Sequence, residues 1–304
     1  MLDFRVSSFL KVCQTMNFTQ ASSELHITQP AVSQHIRFLE EKYQVKLFNY
    51  QNRKLQLTRE GEILRDRLKR IINDESRLKE ELIASSTQRF SISIGVTMTV
   101  GEYALCEPLS LLLKKHPHWD VRVKFGNTEY LLSCLEEGLI DFGLVEGYYP
   151  KDKYRHMAFS TQPFIAVCSA DHVFNVENPR ELKDLLQERI IIREPGSGTR
   201  EILERSLAIK GIKATDFSSS LEVGNMHTII RLLQNDCGIS FLYRIAAEKE
   251  LAQGIIREIP LQDFQVTHCF DFIWEKGSIY SAQINNICQE IIEADQLFLS
   301  GKKW

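Results

Sequence analysis

The sequence predicts an α/β protein in three parts: a small helical head ending in a hairpin over residues 1–58, a linker helix with a polar hinge over 59–89, and a two-lobed α/β domain over 90–304. Three observations predict it. At 304 residues the chain has room for about two domains. Its apolar spacing is helical near the start, whereas after residue 90 short apolar strands alternate with longer helices. Between these regions lies a proline-free run whose apolar residues repeat at coiled-coil spacing.

The composition, 43% hydrophobic and 25% charged, is that of an ordinary globular chain and excludes collagen-like and disordered classes. No run approaches 18 apolar residues, and the opening MLDFRVSSFL places an acid and an arginine where a signal peptide needs a basic start and an apolar core. The expectation is a cytoplasmic protein without a membrane partner. Seven scattered cysteines, with no CxxC and no clustered histidines, predict reduced and mostly buried thiols, and neither a metal nor a cofactor. Charge is uneven. Residues 1–89 hold 15 Lys and Arg against 11 Asp and Glu, leaving 22 against 29 for the rest, so only the front of the chain suits a polyanion.

Within the head, FTQASSELHITQPAVSQHIRFLEEKY at 18–43 carries two helical patterns separated by a short break. Thr19 is placed to cap the first, His26 and Ile27 form the turn, and Thr28 caps the second with Pro30 in its first turn, where a missing N–H costs little. Val32, Ile36, Leu39 and Tyr43 recur on one stripe and are expected in the core. The opposite face presents Gln29, Ser33, Gln34 and Arg37, side chains that suit base edges and phosphate, although a plain amphipathic surface helix would look the same. The next segment favours the first. Leu47, Phe48, Leu55 and Leu57 flank the polar turn Gln51-Asn52-Arg53-Lys54, which reads as a hairpin with a basic tip, the wing of a winged helix-turn-helix.

The string NFTQASSELHITQPAVSQHIRFLEEKYQVKLF followed by LTREGE resembles the DNA-binding domain of LysR-type transcriptional regulators. The resemblance covers the cap, the Gln-Pro-Ala-Val-Ser start of the second helix, Leu39-Glu40, Leu47-Phe48 and Leu57-Thr58. It implies a sequence-specific regulator whose partner is duplex DNA, with bases read by Gln29, Pro30, Ser33 and Gln34 and the minor groove reached by Arg53. Thr28, Arg37 and Lys54 complete the candidate DNA contacts. Three positions depart from the family pattern: Ser22 in place of alanine, Gln44 in place of glycine and Tyr50 in place of arginine. The last removes one expected cation.

In the linker, Leu64, Leu68, Ile71, Glu75, Leu78 and Leu82 are spaced as the a and d positions of about three heptads, broken by Glu75. Two chains can bury this seam against each other, or one chain can lay it on its own domains. The resemblance favours a homodimer joined through Leu64, Leu68, Ile71, Leu78 and Leu82, with dimers pairing into tetramers as a further option. The SSTQR string ending at residue 89 reads as a polar hinge.

Beyond it, FSISIGVT, a helix at about 102–115, DVRVKFG, a helix at about 129–137 and DFGLVEG form one alternating set. FIAVCSA, a helix near 179–186, IIIREPGSGTREILERSLAIKG, LEVGN, a helix near 227–234 and GISFLY form another. HCFDFIW and a helix at 281–295 are left without partners in the second set, so the chain is expected to cross out near Gln162 and return near His268. That gives lobe I as 90–161 and 269–304, lobe II as 162–268, and a cleft between them. The string Leu135-Glu-Glu-Gly-Leu-Ile-Asp-Phe-Gly143 is similar to the LysR-type effector domain, itself like periplasmic solute-binding proteins.

Two segments carry candidate chemistry. Thr97, Met98 and Thr99 end a strand just before a helix. Gly196, Ser197, Gly198 and Thr199 join a strand to a helix through two glycines, where backbone amides can cradle an anion, or where Ser197 or Thr199 merely caps a helix. No GK[ST] follows, so the turn is not a nucleotide loop. Within the family a GSGTR turn resembles the subgroup controlling sulphur assimilation or carbon dioxide fixation, which implies a small, anionic effector. Two rivals remain at this point, an enzyme using Ser197 and a cytoplasmic solute-binding protein. GSG is not a nucleophile elbow, and the DNA-binding head argues against the second.

Overall fold

A computed structural model describes residues 3–52, 54–87 and 90–300. The chain forms two compact units, Met1–Ile83 and Ala84–Trp304.

The first unit begins with a helix outside the sequence expectations, α1 (Phe4–Thr15), followed by α2 (Phe18–Glu24) and α3 (Gln29–Tyr43). The antiparallel hairpin of β1 (Phe48–Gln51) and β2 (Lys54–Leu57) comes next, then α4 (Arg59–Thr87). Val6, Phe9 and Val12 of α1 close over Ala21, Val32, Ile36, Leu39 and Leu47. Tyr43, expected on the same stripe, is 43% exposed because it is the last residue of α3, which stops at the left-handed Gln44 (φ 57°). The cap of α2 is Asn17, not Thr19: its side chain accepts from the amides of Thr19 and Gln20 at 2.9 and 3.0 Å.

The motif residues of the head hold the fold. Glu40 accepts from the Leu47 amide at 2.9 Å and from Lys46 Nζ at 2.7 Å, tying the hairpin to α3. Thr58 donates to the Lys46 carbonyl at 2.6 Å and accepts from the Gly61 amide at 2.9 Å, starting α4. A Cβ on Gly61 would lie 2.2 Å from the Leu47 carbonyl oxygen, so only glycine permits that approach.

The heptad seam of α4 is divided. Leu68 is 4% exposed within the core of its own unit, with Leu64 packed beside it, whereas Ile71, Leu78 and Leu82 are exposed. Leu68 therefore has little apolar surface left to offer a second chain, whereas Leu64 is only half-buried. The helix also runs through Ser85 and Ser86 to Thr87, into the expected hinge, and Gln88 and Arg89 lie outside the described residues.

The second unit alternates as expected through β3 (Phe90–Thr97), α5 (Met98–Tyr103), α6 (Cys106–Lys115), β4 (Trp119–Gly126), α7 (Thr128–Glu136) and β5 (Phe142–Val145). The single helix expected over 102–115 is instead two, broken at Ala104 and Leu105. The long strand β6 (Tyr154–Ser169) leads to β7 (Arg189–Ile192), α8 (Gly198–Ile209), β8 (Ser219–Glu222), α9 (Met226–Gln234) and β9 (Ile239–Tyr243). Then come α10 (Arg244–Ala252), β10 (Ile256–Glu258), β11 (Val266–Glu275) and α11 (Ser281–Leu299). The helix expected near 179–186 is a short 3-10 turn at Leu182–Leu185, and α10 and β10 are additional.

One sheet runs in the order β4-β3-β5-β11-β6-β9-β7-β8. β3 is parallel to β4 and β5, and β7 is parallel to β8 and β9, so each end of the sheet is a small parallel α/β layer. The antiparallel pair β6 and β11 joins them, with Gln162 opposite His268. Apolar residues of one face, among them Ile94, Phe142, Phe164, Ile190 and Phe272, form one core, and those of the other face, among them Val145, Ile165, Ile191 and Leu242, form two smaller ones. Of the cysteines, Cys134, Cys168 and Cys288 are buried, Cys13, Cys237 and Cys269 half-buried and Cys106 exposed, so buried thiols are fewer than expected.

Candidate functional site

On the head, Thr28 opens α3 by accepting from the Ala31 amide at 3.3 Å, and Pro30 stands in the first turn. Gln29, Gln34 and Arg37 are exposed, and Ser33 is half-buried, accepting from Gln29 Nε2 at 2.9 Å. The hairpin turns at Asn52, whose left-handed backbone (φ 49°) asparagine tolerates better than most residues. Lys54 is exposed, and Arg53 lies outside the described residues. A groove of about 460 Å³ is lined by Asn17, Thr19, Gln29 and Ser33 on one side and by Tyr50 and Leu55 of the hairpin on the other. Tyr50, 70% exposed, is thus brought to the same groove as the polar start of α3. Sequence reasoning treated it only as a lost cation.

The second site forms where parallel strands end. Thr97 closes β3, Glu146 follows β5, Arg193 follows β7 and Tyr243 closes β9, so carboxyl ends from both halves of the sheet converge. Glu146 is the hub, at 1% exposure. Its Oε1 accepts from Thr99 Oγ1 at 3.2 Å and from Thr199 Oγ1 at 2.6 Å, and its backbone carbonyl accepts from Thr128 Oγ1 at 2.6 Å. Thr99 belongs to α5 and Thr199 to α8, so one carboxylate links the two halves. The strand-end segment and the glycine turn, expected on opposite sides of one cleft, are brought together here.

Gly198 packs against the chain's own backbone. A Cβ there would lie 2.3 Å from the Glu146 carbonyl oxygen, so α8 meets the strand end backbone to backbone. Gly147 (φ +94°) completes that contact, and Gly196 (φ +82°) turns the chain beside Glu129 and Asn127. Ser197 precedes α8 without a side-chain capping bond and is 3% exposed, while Met98 is half-buried.

The polar groups here are buried and incompletely paired. Thr97 Oγ1, Glu146 Oε2, Arg193 Nη1 and the Tyr243 hydroxyl have no hydrogen-bond partner among the described residues. Arg193 is held by Glu194 at 2.8 and 2.9 Å through its other nitrogens. Burial pushes the Glu146 carboxyl up to about 7, against the bonds from Thr199 and Thr99 and the Arg193 charge, which favour ionisation. Burial first, and the Glu146 charge second, hold the Tyr243 phenol well above its ordinary range. Unpaired buried polar atoms are rare and costly.

Residues 5–62 match the family described as bacterial regulatory helix-turn-helix protein, lysR family, and residues 86–296 match the LysR substrate binding domain. The chain belongs to the LysR family of transcriptional regulators. It is a DNA-binding regulator carrying an effector-binding domain on an α/β fold. This LysR-type regulator is 29% identical over 270 residues to HTH-type transcriptional regulator CysL of Bacillus subtilis, covering 88% of this chain and 89% of that one. It is 23% identical to a probable RuBisCO transcriptional regulator of Cyanidium caldarium, covering 91% and 88%. In structure it is similar to the CcmR regulatory domain of Synechocystis PCC6803 in complex with 2-PG, with a TM-score of 0.61, 19% identity, and 68% and 98% of the two chains covered. RuBisCO-linked regulators among the relatives agree with the subgroup that the GSGTR turn suggested. No helix among the described residues is long and apolar enough to cross a membrane.

The residues at this place that sequence reasoning missed are Glu146 and Tyr243. Each closes or follows an apolar strand run, and each looked like the end of a core strand.

Proposed function

We propose that this LysR-type regulator reads duplex DNA with Thr28, Gln29, Pro30, Ser33, Gln34 and Arg37, aided by Arg53 and Lys54 of the wing, and that a small anionic metabolite controls it. The metabolite sits where β3, β5, β7 and β9 end, against Thr97, Met98, Thr99 and the turn from Gly196 to Thr199. One observation carries the effector reading: unpaired buried polar atoms gather at the carboxyl ends of parallel strands, where open α/β sheets bind ligands. The first turn of the twelve-residue α8 adds free amides and a dipole that favours negative charge by up to about 2 kcal/mol when partly buried. Arg193 Nη1 supplies a cation. Hydroxyls, amides and a fixed guanidinium bind without transforming, as a sensor that releases its ligand unchanged requires.

Thermal unfolding of the full chain with sulfate, phosphate, small carboxylates and 2-PG, the ligand named for the similar CcmR domain, tests this. A binder of the native state raises the midpoint. Thr199→Val keeps the shape of the site, removes the shorter of the two hydroxyl bonds to Glu146, and is expected to abolish the rise. A panel without effect, or a rise unchanged by Thr199→Val, places the effector elsewhere.

The same regulator is proposed to act as a homodimer in a cytoplasmic setting. Ile71, Leu78 and Leu82 of the heptad seam are exposed on α4 and offer apolar surface to a second copy. Two heads on a two-fold site then double the DNA contacts.

A further inference from the structure

We propose that the effector anion binds together with one proton, which Glu146 takes up as the anion arrives. This rests on the effector reading given above. In the structure the Glu146 carboxylate already occupies the hydroxyls of Thr99 and Thr199, and its second oxygen is buried without a partner. An anion at the first turn of α8 comes within reach of the same hydroxyls. Two negative charges would then share a pocket from which water is excluded, where their repulsion is several-fold stronger than in water. Placing a proton on Glu146 removes that repulsion and turns an acceptor into a donor: the carboxylate oxygen gains an O–H bond as one O–H bond of a solvent hydronium breaks and leaves water, and the new O–H can point at the anion. No bond of the anion or of the chain breaks.

The charged and titratable neighbours support this assignment. Arg193 and Glu194 at the end of β7 hold one another, which leaves the buried Nη1 of Arg193 as the guanidinium nitrogen without a hydrogen-bond partner among the described residues. Glu129 of α7 stands beside Gly196 and adds negative charge to the approach. Tyr243 and Tyr148 are phenols, and burial holds that of Tyr243 neutral. His268, whose ring meets Tyr148, is pushed by burial below the ordinary histidine value and is uncharged where the coupling is read. Glu146 is therefore the group that changes state near neutrality, burial having raised it to about 7. Without the anion it is ionised above that value. With the anion it is protonated, so affinity falls by up to tenfold for each pH unit above about 7.

Sulfate is the probe, because its own charge is fixed across the range. Calorimetry on the full chain at about pH 8, in two buffers of different ionisation enthalpy, is expected to show uptake of close to one proton per sulfate. Glu146→Gln keeps the shape without the charge. It is expected to flatten the pH dependence and to bind sulfate about tenfold more tightly than wild type at about pH 8. The wild-type proton count stands by itself if that variant fails to fold. Sulfate binding equally at about pH 6 and about pH 8.5, with no proton taken up, overturns the coupling and leaves the anion site standing. Absence of stabilisation by every anion of the panel at either pH overturns the anion site, and the coupling with it.

Discussion

The two units keep their polar groups in opposite states. On the head, Gln29, Gln34 and Arg37 are exposed, and where a bond is made, as from Gln29 to Ser33, it links two residues of one helix face. In the second unit, Thr99 is 0% exposed, Glu146 1% and Thr199 3%, and several of their neighbours' atoms lack partners. A surface that reads a polymer can hold its donors in water until the polymer displaces it, with specificity arising from which base edge fits. A pocket that senses a small molecule gains more from groups already stripped of water, since each unpaired atom is costly until the right ligand arrives. The head is therefore expected to tolerate substitutions on its reading face without loss of stability. The effector site should not.

The largest expected effect falls on the boundary between reading face and core. Leu68→Ala removes a side chain 4% exposed in the core of the head and should cost about 2–5 kcal/mol of head stability, measured by urea unfolding. Leu82→Lys, on the same helix but 63% exposed, should leave head stability unchanged and give a monomer in light scattering if the far part of α4 joins two chains. Unchanged head stability in Leu68→Ala would return Leu68 to the dimer seam.

Next in size is Gly198→Val. The new Cβ would meet the Glu146 carbonyl oxygen at 2.3 Å, and backbone does not step aside as a flexible side chain does. A loss of about 1–3 kcal/mol in the second unit is expected in thermal unfolding, together with loss of effector response. Full stability would mean that the two halves of the sheet separate there without penalty.

These contrasts show why one site was legible in the sequence and the other only in part. The reading residues of the head lie between Thr28 and Arg37 on one helix, so a single period separates core from surface. Glu146 meets partners 47 and 53 positions away, and only the sheet order brings them together. The turn from Gly196 to Thr199 was visible because glycine pairs mark backbone geometry, but what Gly198 approaches was not. The heptad was legible only in part for a related reason. Spacing shows that Leu64 and Leu68 share a stripe with Leu78 and Leu82, and says nothing of what covers each part of it. Likewise β11 and α11 were legible as leftovers of the alternation, while α10 carried no period strong enough to announce it.

A smaller effect separates the two residues at the start of α2. Asn17→Ala removes the acceptor for the amides of Thr19 and Gln20 and should cost about 1 kcal/mol in urea unfolding. Thr19→Ala should cost less, because Thr19 lies inside the helix rather than at its cap. Equal losses would mean that the threonine hydroxyl shares the capping.

The smallest effect bears on how the head meets DNA. Tyr50 stands where the family usually has arginine, and it lines the groove shared with Gln29 and Ser33. A phenol there can donate one hydrogen bond and stack, but it neutralises no phosphate. Restoring the cation by Tyr50→Arg should steepen the logarithmic dependence of DNA affinity on salt by about 0.9, the contribution of one phosphate neutralised, on operator and unrelated duplex alike. Because that gain carries no sequence information, the ratio of specific to non-specific affinity should stay the same or fall. Fluorescence anisotropy at several salt concentrations measures both. An unchanged slope would mean that position 50 faces the groove without reaching the backbone, and that Tyr50 acts on bases alone. A steeper slope with a raised ratio would make Tyr50 a residue that weakens discrimination, reversing its place in the comparison between a face that reads and a pocket that senses.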